Sequence, residues 1–168
     1  MNECLQSDST YKLRGHRVPS VTEKEIYLLA EQLCKALQIT QQNLGPEGIG
    51  LFMQKLEVYG INVNPIEDCE WLDIAEAMLD PDALMIHMPS KLYTALHSKN
   101  NYHAVRIFLH ELGHIFLAHK PHLHFSDKKP QESEDSEWQA DTFSDAILRH
   151  LRYFDVLPMQ LELELKVF

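Results

Sequence analysis

The chain predicts an α+β domain, with helices packed on a small mixed β-sheet. Apolar residues recur at the helical period in several separate stretches, and short β-like runs bounded by turn residues stand between them. The length of 168 residues suits one domain with its own core. Residues 1–20 are mixed and polar and are expected to form a loose N-terminal arm, with a single domain over residues 21–168. No internal repeat divides it.

Thr22 opens the first helix. Thr22 and Glu25 have the spacing of a capping box, and Ile26, Leu29, Ala30, Leu33 and Leu37 form the stripe it buries. A second helix is expected from near Pro46, suited to the first helical position, to Gly60, suited to the position just past the end. Leu51, Phe52 and Leu56 would be its inner face. β-like runs follow over residues 61–66 and 71–79, then a turn at Asp80-Pro81-Asp82 and a returning strand over 83–88. Asn100-Asn101 caps the next helix, whose apolar stripe is Val105, Phe108, Leu109, Leu112 and Phe116. Residues 119–135 are polar and read as a loop. Ser136 as N-cap, with Gln139 completing a capping box, starts the last helix, which turns Ala140, Phe143, Ile147 and Leu151 inward. Residues 161–168 alternate Leu and Glu and are expected as a strand.

The most specific chemistry lies at His110-Glu111-Leu112-Gly113-His114. Histidines at i and i+4 stand one turn apart on one helix face, where a tetrahedral zinc ion can take a nitrogen from each. Glu111 projects beside them and can take a proton from a water that the metal activates. On a helical wheel His110 and His114 lie opposite the apolar stripe, and two imidazoles on a covered helix need polar partners. Gly113 is expected to let another backbone pass close to the metal. A third ligand is expected downstream. Glu137 and Asp141 share a face at i and i+4, so Glu137 can bind the ion while Asp141 accepts the other ring N–H of a ligand histidine. His119, His122, His124, Glu132 and Glu134 compete for the third position. The long metzincin pattern is absent, because Leu117 and Lys120 stand where its glycine and third histidine belong. A small sheet ahead of such a helix can hold an extended peptide at its edge strand.

His110 to His119 and Glu137-Trp138-Gln139-Ala140-Asp141-Thr142-Phe143, with Met88-Pro89-Ser90-Lys91-Leu92-Tyr93 upstream, together resemble the ImmA/IrrE family of gluzincin-type metallopeptidases. The resemblance spans roughly residues 60 to 150. After Phe143 the chain departs from the family's leucine-rich stretch ending in Met-Pro. The resemblance implies a zincin-like minimal metalloprotease, Zn2+ on His110, His114 and Glu137, and Glu111 as catalytic base. Family members are typically bacterial, phage or mobile-element proteins, and several cleave a DNA-binding repressor. A protein substrate such as a helix-turn-helix repressor is therefore implied.

The formal net charge of −10 argues against a nucleic-acid-binding surface, which needs clustered Lys and Arg. No segment has the length and uniform apolarity of a membrane span, and the N-terminus lacks the pattern of a signal peptide. Cys4, Cys34 and Cys69 form no framework and read as reduced thiols, so a cytoplasmic protein is expected. Nothing in the sequence sets the oligomeric state. Three function classes follow. The first is a zinc endopeptidase, for which Tyr93, Tyr102 and His103 are candidate oxyanion donors. The second is a peptide-deformylase-like hydrolase with Cys69 as third ligand, echoed by Gly48-Ile49-Gly50-Leu51; Lys55 and Gly113 stand where that family has glutamine and aspartate. The third is a partner-binding protein with structural zinc, against which an intact Glu111 argues.

Overall fold

β3 (Met85–Pro89) is the centre of a three-stranded mixed sheet: β1 (Asn62–Ile66) pairs with it in parallel and β2 (Met78–Asp80) antiparallel. The register sets Val63 opposite Ile86, and Ile86 opposite Leu79. The computed structural model describes residues 11–120 and 128–153. The expected tail strand, His122, His124 and residues 1–10 of the arm lie outside them. Among the described residues, six α-helices pack on this one sheet: α1 (Glu23–Ala36), α2 (Gln41–Leu44), α3 (Ile49–Glu57), α4 (Ser90–Leu96), α5 (Tyr102–Phe116) and α6 (Ser136–His150). None is long and apolar enough to cross a membrane.

α1 starts as its sequence predicts, with Thr22 and Glu25 forming the reciprocal capping box, and it buries Ile26, Ala30 and Cys34. α3 begins at Ile49, later than Pro46, because Gly45 to Gly48 make a turn behind the short α2. Its inner face is Ile49, Phe52, Met53 and Leu56. Leu51, expected inside, is 67% exposed, since it lies off the i, i+3, i+4, i+7 stripe that Ile49, Phe52, Met53 and Leu56 form. Of the β-like run over 71–79, only its end forms a strand. Asp80 closes the hairpin by accepting the backbone N–H groups of Asp82 and Ala83.

α5 runs through the core and buries Val105, Phe108, Leu109 and Leu112. Asn101 precedes it but does not cap it with its side chain. That buried amide instead donates to the carbonyls of Leu44 and Leu96 and accepts from the Tyr153 hydroxyl, tying three elements together. α6 crosses α5 at Gly113. A Cβ there would sit 3.2 Å from Ala140 Cα, 3.3 Å from Ala140 O and 3.1 Å from the Phe143 ring.

The described part of the N-terminal segment, expected to be loose, is a docked strap. Val18 is buried, Arg17 pairs with Asp135 in an antiparallel bridge, and the Val18 and Val21 N–H groups donate to Glu134 O and Ser133 O. The buried Asp135 carboxylate accepts from the Tyr11 hydroxyl and from the Arg14, Gly15 and Glu137 N–H groups. Periodicity cannot register such a strap, because its partners lie more than a hundred residues away and are met largely through its own backbone N–H groups.

Replacing Gly113 by valine pits added side-chain atoms against helix backbone that cannot yield as a side-chain tip would. Gly113→Val is expected to lower the unfolding free energy by about 1–3 kcal/mol, read from urea denaturation. Unchanged stability would show that the crossing has slack.

Candidate metal centre

Three side chains converge where α5 and α6 cross. His110 Nε2 lies 3.1 Å from His114 Nε2 and 3.2 Å from Glu137 Oε2, and His114 Nε2 lies 3.6 Å from Glu137 Oε1. Among the described residues, these are the His, Cys, Asp and Glu donors that gather closely enough to hold a metal ion. Zinc bonds of about 2.0–2.1 Å in a tetrahedron put neighbouring donor atoms about 3.3–3.4 Å apart. The two imidazole nitrogens lie close to that edge, Glu137 approaches each of them through a different oxygen, and one ligand atom from each residue lies within 4.8 Å of the others. Two imidazoles with one carboxylate are a common zinc donor set, so the residues fit the ion. Three protein donors also leave a fourth position for water or substrate.

Each donor is held from behind. His110 Nδ1 is 2.9 Å from Asp141 Oδ1, and Asp141 is itself gripped by Arg14 Nη1 at 2.8 Å and approached by Arg106 Nη2 at 3.6 Å. These neighbours outweigh the burial of Asp141 and lower its carboxyl to about 2. His114 Nδ1 is 2.8 Å from His119 Nδ1, and His119 Nε2 is 2.8 Å from Gln139 Oε1. His119 is not among the convergent donors: its nitrogens face His114 and Gln139, and burial lowers its pKa. Glu134 pairs with Arg17, Glu132 stands in the 3-10 turn (Glu132–Glu134), and Cys69 is exposed and apart from the convergent donors.

α6 is capped by Asp135, one residue earlier than expected, through its bond from the Glu137 N–H. Ser136 Oγ instead accepts from the His16 N–H, and Gln139 serves His119 rather than a capping box. Gly15 lies so close over Glu137 that a Cβ on it would fall 2.7 Å from Glu137 Cγ. The strap thus presses on the carboxylate that completes the trio.

A cleft of about 390 Å³ opens over these donors, walled by β2 and the residues before it and floored by His110, Glu111, His114 and Glu137. Glu111 is 7% exposed, and burial first, then the Glu137 charge, raises its carboxyl to about 7 against the opposing pull of His110. Tyr93, Tyr102 and His103 do not line this cleft: Tyr93 packs on His97, Tyr102 stacks on Tyr153, and His103 bonds Glu76. His16 does line it. Nothing in the sequence marks His16, a lone histidine in a polar stretch with no ligand spacing.

No protein-family model and no curated protein matches the chain. Among solved structures, a Mycobacterium tuberculosis transcriptional regulator is similar at 17% identity and a TM-score of 0.45, with 82% of this chain and 39% of that chain covered. The chain thus spans about two fifths of that protein's length.

In the metal-free protein, burial opposes a charge on His110, but its bonds to Asp141 and Glu137 and the Glu111 charge win and raise it to about 9. Burial and the His110 charge lower His114. A metal must displace the His110 proton. At pH 8 Glu111 is largely ionised and His110 largely protonated, so zinc binding should release about one proton, read by calorimetry in buffers of different ionisation enthalpy. Release near zero would show that His110 does not bind the ion. Stability should follow the same groups. The His110 contribution is complete below 6.5 and is lost as pH rises through about 9, while that of Asp141 is present above 3.8 and is lost as pH falls toward about 2. The contribution of Glu111, raised from 4.5 to about 7, is complete below 4.5 and is lost as pH rises through about 7, ahead of the His110 loss. Thermal unfolding of zinc-free protein across this range checks both limbs.

Proposed function

We propose that this chain is a zinc-dependent endopeptidase of zincin-like fold that hydrolyses a peptide bond in a regulatory protein, such as a helix-turn-helix repressor, in the cytoplasm. The observation that carries the reading is the convergence of His110, His114 and Glu137, one ligand atom of each within 4.8 Å of the others, with the buried Glu111 carboxylate on the floor of the same cleft. The resemblance of these motifs to the ImmA/IrrE family supports it as well. His110, His114 and Glu137 would hold the ion, and zinc bound there supplies a Lewis acid that polarises a carbonyl and makes water acidic near neutrality.

Every other part falls to the chain's own side chains. Asp141 keeps a proton on His110 Nδ1, so that Nε2 presents its lone pair. Glu111, raised to about 7, is matched to neutral pH as a proton carrier. It takes a proton from the attacking water as the new C–O bond forms. It then returns that proton to the amide nitrogen as the C–N bond breaks. Strand β2, at the sheet edge and along the cleft wall, offers backbone groups to an extended substrate segment.

Glu111→Gln removes the proton acceptor and keeps its shape. Zinc-loaded wild type and variant should each hold one metal per chain, and His110→Ala should hold none. With a peptide library from a bacterial proteome and mass-spectrometric reading of new termini, hydrolysis should fall roughly 10²–10⁴-fold in Glu111→Gln. Equal cleavage by both would remove Glu111 from the chemistry. Zinc retained with no cleavage by wild type would favour a partner-binding protein.

A further inference from the structure

The contacts behind His114 carry an inference beyond the ligand set. Gln139 is buried, and its amide nitrogen lies 2.9 Å from Pro19 O and 2.7 Å from Ser133 O. Both partners are carbonyls and can only accept, so the NH₂ end of the amide faces them. The accepting end, Oε1, is thereby turned to His119 Nε2 at 2.8 Å. His119 must carry its proton on Nε2 to donate to it, which leaves a lone pair on Nδ1. That lone pair faces His114 Nδ1 at 2.8 Å. One proton has to lie between the two nitrogens, and His119 has none on that side. It belongs to His114, whose Nε2 is left with the lone pair, turned toward His110 and Glu137.

We propose that Gln139 and His119 are positioning residues of the metal centre, a relay that holds His114 in the tautomer able to bind a metal through Nε2. The proposal deepens the metal-centre reading and rests on its ligand set, but it does not need peptidase activity. The relay starts outside both ligand helices, since Pro19 belongs to the strap and Ser133 to the 3-10 turn. The strap's backbone thus selects the orientation of an amide whose far end sets a ligand's proton. His110 needs no such chain, because a carboxylate accepts only and fixes its tautomer directly.

The test uses the full chain, with zinc as the probe. Long-range proton–nitrogen NMR of the histidine rings should find His119 protonated at Nε2 and, in the zinc-loaded protein, His114 protonated at Nδ1. Zinc affinity, measured by competition with a chelator, should fall roughly 10–100-fold in His119→Ala and in Gln139→Leu. His119→Gln keeps one donor and one acceptor and should recover part of the loss, which repacking alone would not. A wild-type His119 protonated at Nδ1 overturns the proposal, as does wild-type affinity in both His119→Ala and Gln139→Leu. Should those variants fail to fold, the wild-type ring tautomers decide the matter. Wild type that binds no zinc defeats the metal-centre reading itself, whereas zinc binding unaffected by the variants defeats the relay alone.

Discussion

The crossing of α5 and α6 at Gly113 is the constraint on which the rest of the structure depends. Glu137 and Asp141 stand on α6, and their short carboxylate arms reach His110 and His114 because the backbone at Ala140 lies against Gly113 with no side chain between. Ordinary helix packing at about 8–10 Å between axes depends on the side chains at the contact. A larger residue at the crossing would push the carboxylates away from the imidazoles. The roughly 1 kcal/mol that glycine costs inside a helix relative to alanine is offset by what the close approach permits. The apolar contacts below it, Phe143 against Phe116 among them, keep the two helices from sliding.

Charge is handled locally around that crossing. Asp141 faces an imidazole and two guanidiniums, so a half-buried carboxylate is satisfied on several sides. Glu111, by contrast, has burial and a neighbouring carboxylate acting on it, and so its proton is held to about neutral pH. Two carboxylates beside one imidazole therefore differ in protonation through their surroundings, the arrangement by which one site carries both a fixed charge and a movable proton.

Much of this was legible in the sequence, and what was legible is local. The Thr22 and Glu25 box, the strand over 61–66, the turn at Asp80 and the i, i+4 pairs His110/His114 and Glu137/Asp141 all follow from spacing within one element. The α+β class followed as well. What spacing cannot show is which polar group a neighbouring element will claim. Ser136, Gln139 and Asn101 each have the look of a cap, yet tertiary partners take the side chains of all three, and Asp135 does the capping of α6 instead. Leu51 went astray because adjacent Leu51 and Phe52 cannot both face inward, and Ile49 and Met53 complete the stripe on the side of Phe52. The strap was illegible for the same reason as His16 within it. Its bonds run from backbone N–H groups to Asp135 and Ser136, and an extended segment paired that way needs no pattern of its own.

The two histidines are held unequally, and the inequality follows from where each sits on α5. His110, a turn nearer the N-terminus, meets Asp141, an anion that raises the basicity of the ring it holds. His114, a turn later, meets His119 just past the end of α5, and behind it Gln139 of α6, a neutral chain of dipoles that orients the ring without adding charge. Had both imidazoles anionic partners, Glu137 and Glu111 would share the pocket with two further carboxylates and repel them. The neutral side also joins the site to residues 14–19. Arg14 grips Asp141, Gly15 lies against Glu137, and Pro19 O holds Gln139, so each of the three donors is reached from the strap within one to three contacts. By linkage, an ion that favours this arrangement of donors also favours the docked strap, and by the same free energy in each direction. The strap is thus a structural part of the candidate site, as much as either helix that carries its three donors.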